Sequence, residues 1–401
     1  MTSPFTETSG TARRQGFAEL AAAGPLQYVV LFTGVPVWLV TGYAEARALL
    51  AHPAVVRSPL DGPHRDHVFD DLVNSMDRHM LGANPPDHTR MRKLVSAAFT
   101  RRRIELLAPR IREIATGLLD DLAGQASAGE PVDLVDAYSY PLPITVICEL
   151  IGIPPVRRAD FRRWSSVVVN AAVHSPEVYV ESALAMVEFI RELIEDKRVD
   201  PADDLLSELI AVRDGGDRLS PDELTSMVFL LLAAGHETTV NLITNGVDAL
   251  LRHPDQLALL KSEPDRLPAA VEELLRYDGP LQAAIPYVAA ERIEIAGASI
   301  APGDVIVMAL FAANRDDAKY GRGDELDITR PDNQHLAFGH GIHHCLGAPL
   351  ARLEGRIALG LLFERFPELR LADPDQDPPR YAGLLMNGIR ELPVLPNPAG
   401  S

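Results

Sequence analysis

The chain has 401 residues, 47% of them hydrophobic and 23% charged, an ordinary balance for a water-soluble globular protein and enough material to bury a sizeable ligand. Length alone would allow about two or three domains. A formal charge of −18 argues against nucleic acid as a partner and means that an acidic protein partner must find a local basic patch. Two cysteines cannot build a disulfide framework, and the first residues carry neither a basic-then-apolar signal pattern nor a membrane anchor, so a cytoplasmic, freely soluble protein is expected.

Met1 to Gly10 is rich in Ser, Thr and Gly and is expected to be a disordered leader. The β-branched runs Tyr28 to Phe32 and Val37 to Val40, bounded by glycines, predict a hairpin, and a helix is expected from Tyr43 to about Ala51. Ser58 to Pro86 has no sustained period; loops of such length are usually lids or binding loops. Pro85 and Pro86 stop it, and a helix begins near Asp87, where His88 and Arg92, four apart, share a face. Taken alone that pair reads as a solvated basic face, continued by the basic cluster Lys93, Arg101, Arg102 and Arg103. From Arg103 to about Arg213 apolar residues recur at three- and four-residue steps, broken at Pro131, Pro154 and Pro176. Cys148, inside PLPITVICELIG, reads as core.

Ser220-Pro221-Asp222-Glu223 supplies an N-cap serine, a proline at the first helical position and a glutamate at the third, which opens a helix expected to run to His253. Met227 to Ala234 is apolar on nearly every face and should be buried. Into this stretch the chain inserts Gly235, His236, Glu237, Thr238 and Thr239. Burying a carboxylate and two hydroxyls in mid-helix is costly unless they are bonded or useful; Thr238 bonding back to a carbonyl and bending the helix is one open reading, a functional acid the other. His236-Glu237 lacks the second histidine of a zinc protease helix, since Val240 stands four residues after His236. Farther on, Glu273 and Arg276 share a helix face, and RIEIAGASI and VIVMAL are short β segments joined by a PGD turn.

Phe338 to Gly347, FGHGIHHCLG, places Cys345 among three glycines and three histidines, just before a helical pattern that starts near Ala348. Three readings of that sulfur stand open on chemistry alone. It is a small buried hydrophobe, or with His340, His343 and His344 part of a zinc site, or a thiolate at the positive end of a helix, the single protein ligand of a metal cofactor. Glycines at 339, 341 and 347 permit positive φ and close approach of backbone to a flat ligand.

FGHGIHHCLG resembles, almost position for position, the haem-binding loop of the cytochrome P450 family. The resemblance implies a mainly α fold with a small β-rich lobe, formed as a single domain over residues 11–401 around a buried haem, with β-rich parts near 26–42 and 285–310 and helical bulk near 87–280 and 346–366. It implies haem b with Cys345 as axial thiolate, and Phe338, Gly339, His343, Gly347 and Ala234 against the cofactor. His88 and Arg92 match the family's propionate-binding pair. Tyr287 stands where many relatives place a propionate-binding arginine, and it carries no charge. Asp317 and Leu326 likewise replace a usual proline and a usual aromatic.

AGHETT resembles the family's oxygen-activating signature, in which the glycine makes room over the iron and the acid and threonine, here Glu237 and Thr238, manage protons. By the same resemblance Met80, Leu81, Ala233, Ala284, Ile285, Leu384 and Leu385 line the substrate pocket. EELLR matches the structural ion-pair motif, with Glu273, Arg276 and a third member, Arg330. The implied reaction inserts one oxygen atom of O2 into a C–H or C=C bond of a bulky apolar or amphipathic molecule, a polyketide or terpenoid by analogy. Electrons come ultimately from NAD(P)H through a separate ferredoxin and ferredoxin reductase, with Arg352 and Arg356 adding to the basic docking patch. A haem-thiolate enzyme using peroxide or catalysing coupling would also keep Cys345, as would a non-catalytic haem sensor, which has no use for Glu237 and Thr238.

Overall fold

The computed structural model describes residues 3–57, 76–125, 130–169, 174–211 and 218–396. The chain forms two compact units, each assembled from separated stretches: Met1–Val56 with Ala108–Leu142 and Thr238–Ser401, and Arg57–Leu107 with Pro143–Glu237. No linker marks the division, which on the long helix Pro221–Arg252 falls between Glu237 and Thr238.

The first unit holds the β structure. Strands β1 (Leu26–Val30) and β2 (Pro36–Val40) form the antiparallel hairpin, in register Leu26↔Val40, around a turn that Gly34 enters with φ +81°. Strands β3 (Val55–Val56), β5 (Tyr287–Ala289) and β8 (Val305–Met308) complete a five-stranded sheet in the order β1-β2-β8-β5-β3, in which β2 and β8 run parallel. β4 (Val132–Asp133), β9 (Arg370–Leu371) and β10 (Pro393–Leu395) make a second small sheet, and β6 (Ile293–Ile295) pairs with β7 (Ala298–Ile300). Two apolar clusters lie on this sheet: one around Tyr43, Leu49, Tyr287, Ile306 and Met308, the other around Phe17, Leu39, Val307 and Phe311. The Ala348–Arg365 helix packs along Ala108–Gln125, and Tyr138, in a π turn Val135–Ser139, donates to the Ala358 carbonyl at 2.9 Å.

Residues 3–10 correct the expectation of a disordered leader. Pro4–Thr6 is a 3-10 turn, and Phe5 is 1% exposed, packed edge-on to Phe17 at 5.1 Å. Ser9 accepts from the Ala12 N–H at 3.1 Å and so caps the helix Gly10–Ala22. One buried aromatic and one cap are enough to order a polar segment.

The second unit is helical. Asp87–Ala98, Arg101–Leu106, Arg158–Val169, Pro176–Val199 and Leu205–Ala211 accompany the first half of the long helix. Ser220 and Glu223 form the capping box read from the sequence: the Ser220 N–H donates to Glu223 Oε2 at 2.8 Å, and the Glu223 N–H donates to Ser220 Oγ at 3.3 Å. The long helix is long and apolar enough to cross a membrane, but 78% of that apolar window is buried inside the fold. Cys148 is buried as core, and burial pushes its thiol up to about 12. Most of the loop expected from Ser58 to Pro86 lies outside the described residues.

Candidate active site

The loop carrying Cys345 is set by backbone bonds. Asn314 Oδ1 accepts from the Leu336 N–H at 2.7 Å, the Gly339 N–H donates to the Leu336 carbonyl at 2.8 Å, and the Cys345 N–H donates to the Phe338 carbonyl at 2.9 Å. Gly339 and Gly341 have φ +69° and +72°, and a Cβ on Gly341 would also collide with the Leu50 carbonyl, so a side chain is excluded there on two counts. Gly341–His343 makes a 3-10 turn, and Gly347 is the N-cap of the 18-residue helix Ala348–Arg365. Cys345 therefore stands two residues ahead of a helix N-terminus, where the backbone dipole favours the thiolate.

Neither cysteine is in a disulfide; Cys345 is exposed and Cys148 buried, which separates the two sulfurs and removes the core reading for Cys345. Among the described residues no group of three or more His, Cys, Asp or Glu side chains could hold a metal ion, so His340, His343 and His344 do not build a zinc site with it. What remains is one accessible sulfur on a glycine-lined cradle, a donor set that fits a single axial bond to a flat metal cofactor. One side of the cradle is propped by a charged stack. Arg352 donates to Glu272 Oε1 and Oε2 at 2.6 and 2.8 Å and lies 4.5 Å from the Phe338 ring, while His335 Nε2 is 3.1 Å from Glu272 Oε2. Against the burial that would raise it, hydrogen bonds from Arg352 and His335 hold the Glu272 carboxyl down at about 2.

Glu273, Arg276 and Arg330 are brought together. Arg276 donates to both Glu273 oxygens at 2.8 Å and to the Asn314, Gly323 and Glu325 carbonyls, and Arg330 Nε is 3.3 Å from Glu273 Oε1. Tyr287 is buried on β5 with its ring 6.1 Å from that of His343. The segments bearing Ala284, Ile285, Leu384 and Leu385 also meet, through a residue that sequence reasoning passed over. Gln282 is fully buried, its N–H donates to the Leu385 carbonyl at 2.7 Å, and its Nε2 donates to the Gly383 and Met386 carbonyls at 2.8 and 2.7 Å. A lone glutamine in LQAAIP gives no sign of such a clamp. Glu354 was also missed: it is buried on the Ala348–Arg365 helix, and burial raises its pKa well above the carboxylate range.

In the helical unit, Leu232 and His236 are buried while Ala233 is half-buried and Ala234 exposed, a break in the covered middle of the helix. Gly235 does not leave open room: a Cβ there would come within 3.0 Å of Ile147 Cδ1, so the glycine lets the neighbouring helix Pro141–Ile151 approach. Glu237 is 5% exposed, and burial pushes its pKa up to about 7. His236 Nδ1 is 2.8 Å from the Leu232 carbonyl, so that nitrogen carries the hydrogen; burial pushes the ring down to about 4, leaving it neutral. Its Nε2 is 4.0 Å from Glu237 Oε2. Thr238 is half-buried and Thr239 buried. His88 and Met80 are buried, and Arg92 and Leu81 half-buried.

The raised pKa of Glu237 has a measurable sign. An unfolded carboxyl ionises near 4.5 while the folded one holds its proton to about 7, so the fold loses stability as pH rises through that window, by about 3 kcal/mol in total. Glu237→Gln, which cannot ionise, is expected to melt progressively later than the parent protein from pH 4.5 to 7, with a constant difference above that. Parallel melting curves across the window would show that the carboxyl is not desolvated.

A mostly helical chain with small sheets and one accessible thiol ahead of a long helix defines the class of thiolate-ligated haem proteins. Comparison with known proteins agrees. Residues 169–392 match the family model described as cytochrome P450. The chain is 46% identical over 382 residues to cytochrome P450 107B1 of Saccharopolyspora erythraea, covering 93% of this chain and 92% of that relative. It is 45% identical over 396 residues to vitamin D(3) 25-hydroxylase of Pseudonocardia autotrophica, covering 98% and 96%. Its fold superposes on the solved cytochrome P450 PksS of the Bacillus subtilis 168 bacillaene polyketide synthase with a TM-score of 0.89 at 37% identity, covering 98% of this chain and 99% of that one.

The chain belongs to the cytochrome P450 family. It is a monooxygenase that carries haem on a cysteine thiolate and uses O2 and electrons derived from NAD(P)H, delivered by separate redox proteins.

Proposed function

We propose that Cys345 is the haem ligand and that the enzyme hydroxylates or epoxidises a bulky apolar or amphipathic specialised metabolite of polyketide or terpenoid type. The observation that carries this reading is the exposed Cys345, outside any disulfide, in its glycine cradle at a helix N-terminus. Haem bound there supplies O2 activation. Phe338, Gly339, His343, Gly347 and Ala234 would hold it, and His88, Arg92 and Tyr287 would bind its propionates. Arg92 contributes a charge-assisted donor, His88 an imidazole N–H and Tyr287 one neutral hydroxyl.

Glu237 keeps its proton until about pH 7, so near neutrality its carboxyl both holds and releases one. Thr238, the next residue, offers a hydroxyl through which that proton passes toward the reacting oxygen. Met80, Leu81, Ala233, Ala284, Ile285, Leu384 and Leu385 give the substrate an apolar wall with little hydrogen-bonding capacity, which suits a large hydrocarbon framework and selects by shape. A polyketide-synthase P450 and a vitamin D(3) hydroxylase among the relatives support bulky substrates.

Electrons arrive from an acidic ferredoxin served by a ferredoxin reductase, in the cytoplasm. Three of the expected docking cations already have carboxylate partners: Arg101 has Glu105, Arg103 has Glu208 and Asp203, and Arg352 has Glu272. Lys93 and Arg102, which are exposed, and the half-buried Arg356 are the remaining docking residues.

Thr238→Ala tests the relay. Substrate affinity, read from the spin-state shift of the haem spectrum, is expected to be unchanged, while product per NAD(P)H consumed falls by roughly tenfold or more as electrons go to peroxide or water. Unchanged coupling would remove Thr238 from the mechanism. The same spectral shift, screened over polyketides, terpenoids and small polar compounds, tests the substrate class; a response confined to small polar compounds would overturn it.

A further inference from the structure

Two adjacent carboxylates on the helix Leu267–Asp278 serve different neighbours. Glu273 is held in the buried triad with Arg276 and Arg330. Glu272, about 100° away round the helix, faces the loop that carries Cys345. Its Oε1 accepts from Arg352 Nε at 2.6 Å and its Oε2 from Arg352 Nη2 at 2.8 Å, the two-pronged geometry in which a guanidinium holds a carboxylate most firmly. The Ala337 N–H donates to His335 Nδ1 at 3.2 Å, so the other ring nitrogen, Nε2, carries the hydrogen that faces Glu272 Oε2 at 3.1 Å. Both partners of Glu272 lie against Phe338: the His335 and Phe338 ring centroids are 5.8 Å apart, and the Arg352 guanidinium carbon is 4.5 Å from the Phe338 centroid. Phe338 is also the residue whose carbonyl takes the Cys345 N–H.

Arg352 is electrically coupled to the sulfur as well. Hydrogen bonding to Glu272 raises the guanidinium above its usual range; burial opposes this, and the Cys345 sulfur reinforces it. The Arg352 and Glu272 side chains both reach water, at 35% and 27% exposure, so an unpaired arginine would be tolerated at this position. What the pairing changes is the field. An unpaired guanidinium would present a full positive charge to the thiolate, and Glu272 reduces that charge to a dipole.

We propose that Glu272, by neutralising Arg352, sets the reduction potential of the haem held on Cys345. This rests on Cys345 being the haem ligand. Reduction adds one negative charge to the haem and its thiolate, so a bare cation nearby would favour the reduced state and a bare carboxylate would oppose it. Glu272 and Arg352 are positioning residues, which act through Phe338 and the sulfur rather than on the substrate.

The test is the midpoint potential of the haem-loaded enzyme, measured by spectroelectrochemistry for Glu272→Gln, Arg352→Gln and the double variant. Glu272→Gln keeps the shape and one acceptor for Arg352 but removes the charge; its haem should be reduced about tenfold more readily, a rise of about 59 mV for one electron. Arg352→Gln should move the potential the other way, and the double variant should return near the parent value. A loop merely loosened by lost hydrogen bonds would move all three in one direction; that outcome, or no movement, would overturn the proposal. Should Arg352→Gln fail to hold haem, Arg352→Lys takes its place. It retains the charge without the two-pronged bond and should match the parent, and a shift as large as that of Glu272→Gln would overturn the charge argument. The reduced parent enzyme under carbon monoxide is the control, since it must show the long-wavelength absorption of thiolate-ligated haem. Its absence would overturn the ligand reading; its presence, with potentials that move together, overturns the neutralisation by Glu272 alone.

Discussion

Cys345→Ser is expected to leave a folded protein that has lost its chemistry. The side chain is exposed, and the bond that places it runs from its own N–H to the Phe338 carbonyl, which serine retains. The oxygen replacing the sulfur is a far poorer anion at neutral pH, so the helix N-terminus that favours a thiolate gains little from it. The electron push from a cysteine thiolate toward O–O cleavage is the established property of this class of haem proteins, and it is lost with the sulfur. In the reduced protein under carbon monoxide, the long-wavelength absorption of thiolate-ligated haem should vanish, and product formation should fall below detection. A variant that kept both would show that another group ligates the iron. The apoprotein should melt close to its parent, which distinguishes this loss from misfolding.

Arg276→Met should be the most destabilising substitution at a single charged residue, by about 3–5 kcal/mol in denaturant titration. Arg276 is 1% exposed and donates five hydrogen bonds: two to Glu273 and three to the carbonyls of Asn314, Gly323 and Glu325. Removing it strands the 0%-exposed Glu273, which keeps only the Arg330 pair at 3.3 Å, the Asp327 N–H at 2.9 Å and Asn333 at 3.1 Å. The buried carbonyls of Asn314 and Gly323 lose a donor as well. By contrast the exposed pair Arg322 and Glu325, at a similar separation of 2.8 Å, should cost less than about 1 kcal/mol to break. A loss below that size for Arg276→Met would mean that the triad is not structural. Changing Glu273 and Arg276 together to apolar residues should cost less than the two single changes summed, because neither member of the pair is then left buried without the other.

Features carried by neighbouring residues were legible before any coordinates. The Ser220–Glu223 box, the Glu273–Arg276 spacing and the glycine setting of Cys345 are short-range patterns whose chemistry is written within a few positions. Features that depend on distant partners were not. Phe5 is ordered by Phe17, which in turn packs on Phe311 at 5.2 Å. The carbonyls that Gln282 clamps lie about a hundred positions away, and Asp278, Asn387 and Arg380 look like unremarkable polar residues until the chain folds back on itself. At Gly235 the residue type was informative but its meaning was not, because the same missing Cβ serves either a ligand or the adjacent Ile147.

The parallel pairing of β2 with β8 has a consequence for how the enzyme is made. Trp38 sits opposite Ile306, so one edge of the first hairpin waits for a strand synthesised roughly 270 residues later, some 15–50 s of translation. Throughout that interval Leu39 and Val40 belong to an unsatisfied strand edge, the kind of template on which nascent chains stick to one another. Prematurely terminated chains that stop before β8 should therefore aggregate through their amino-terminal hairpin, and the cell must shield that edge until the sheet can close.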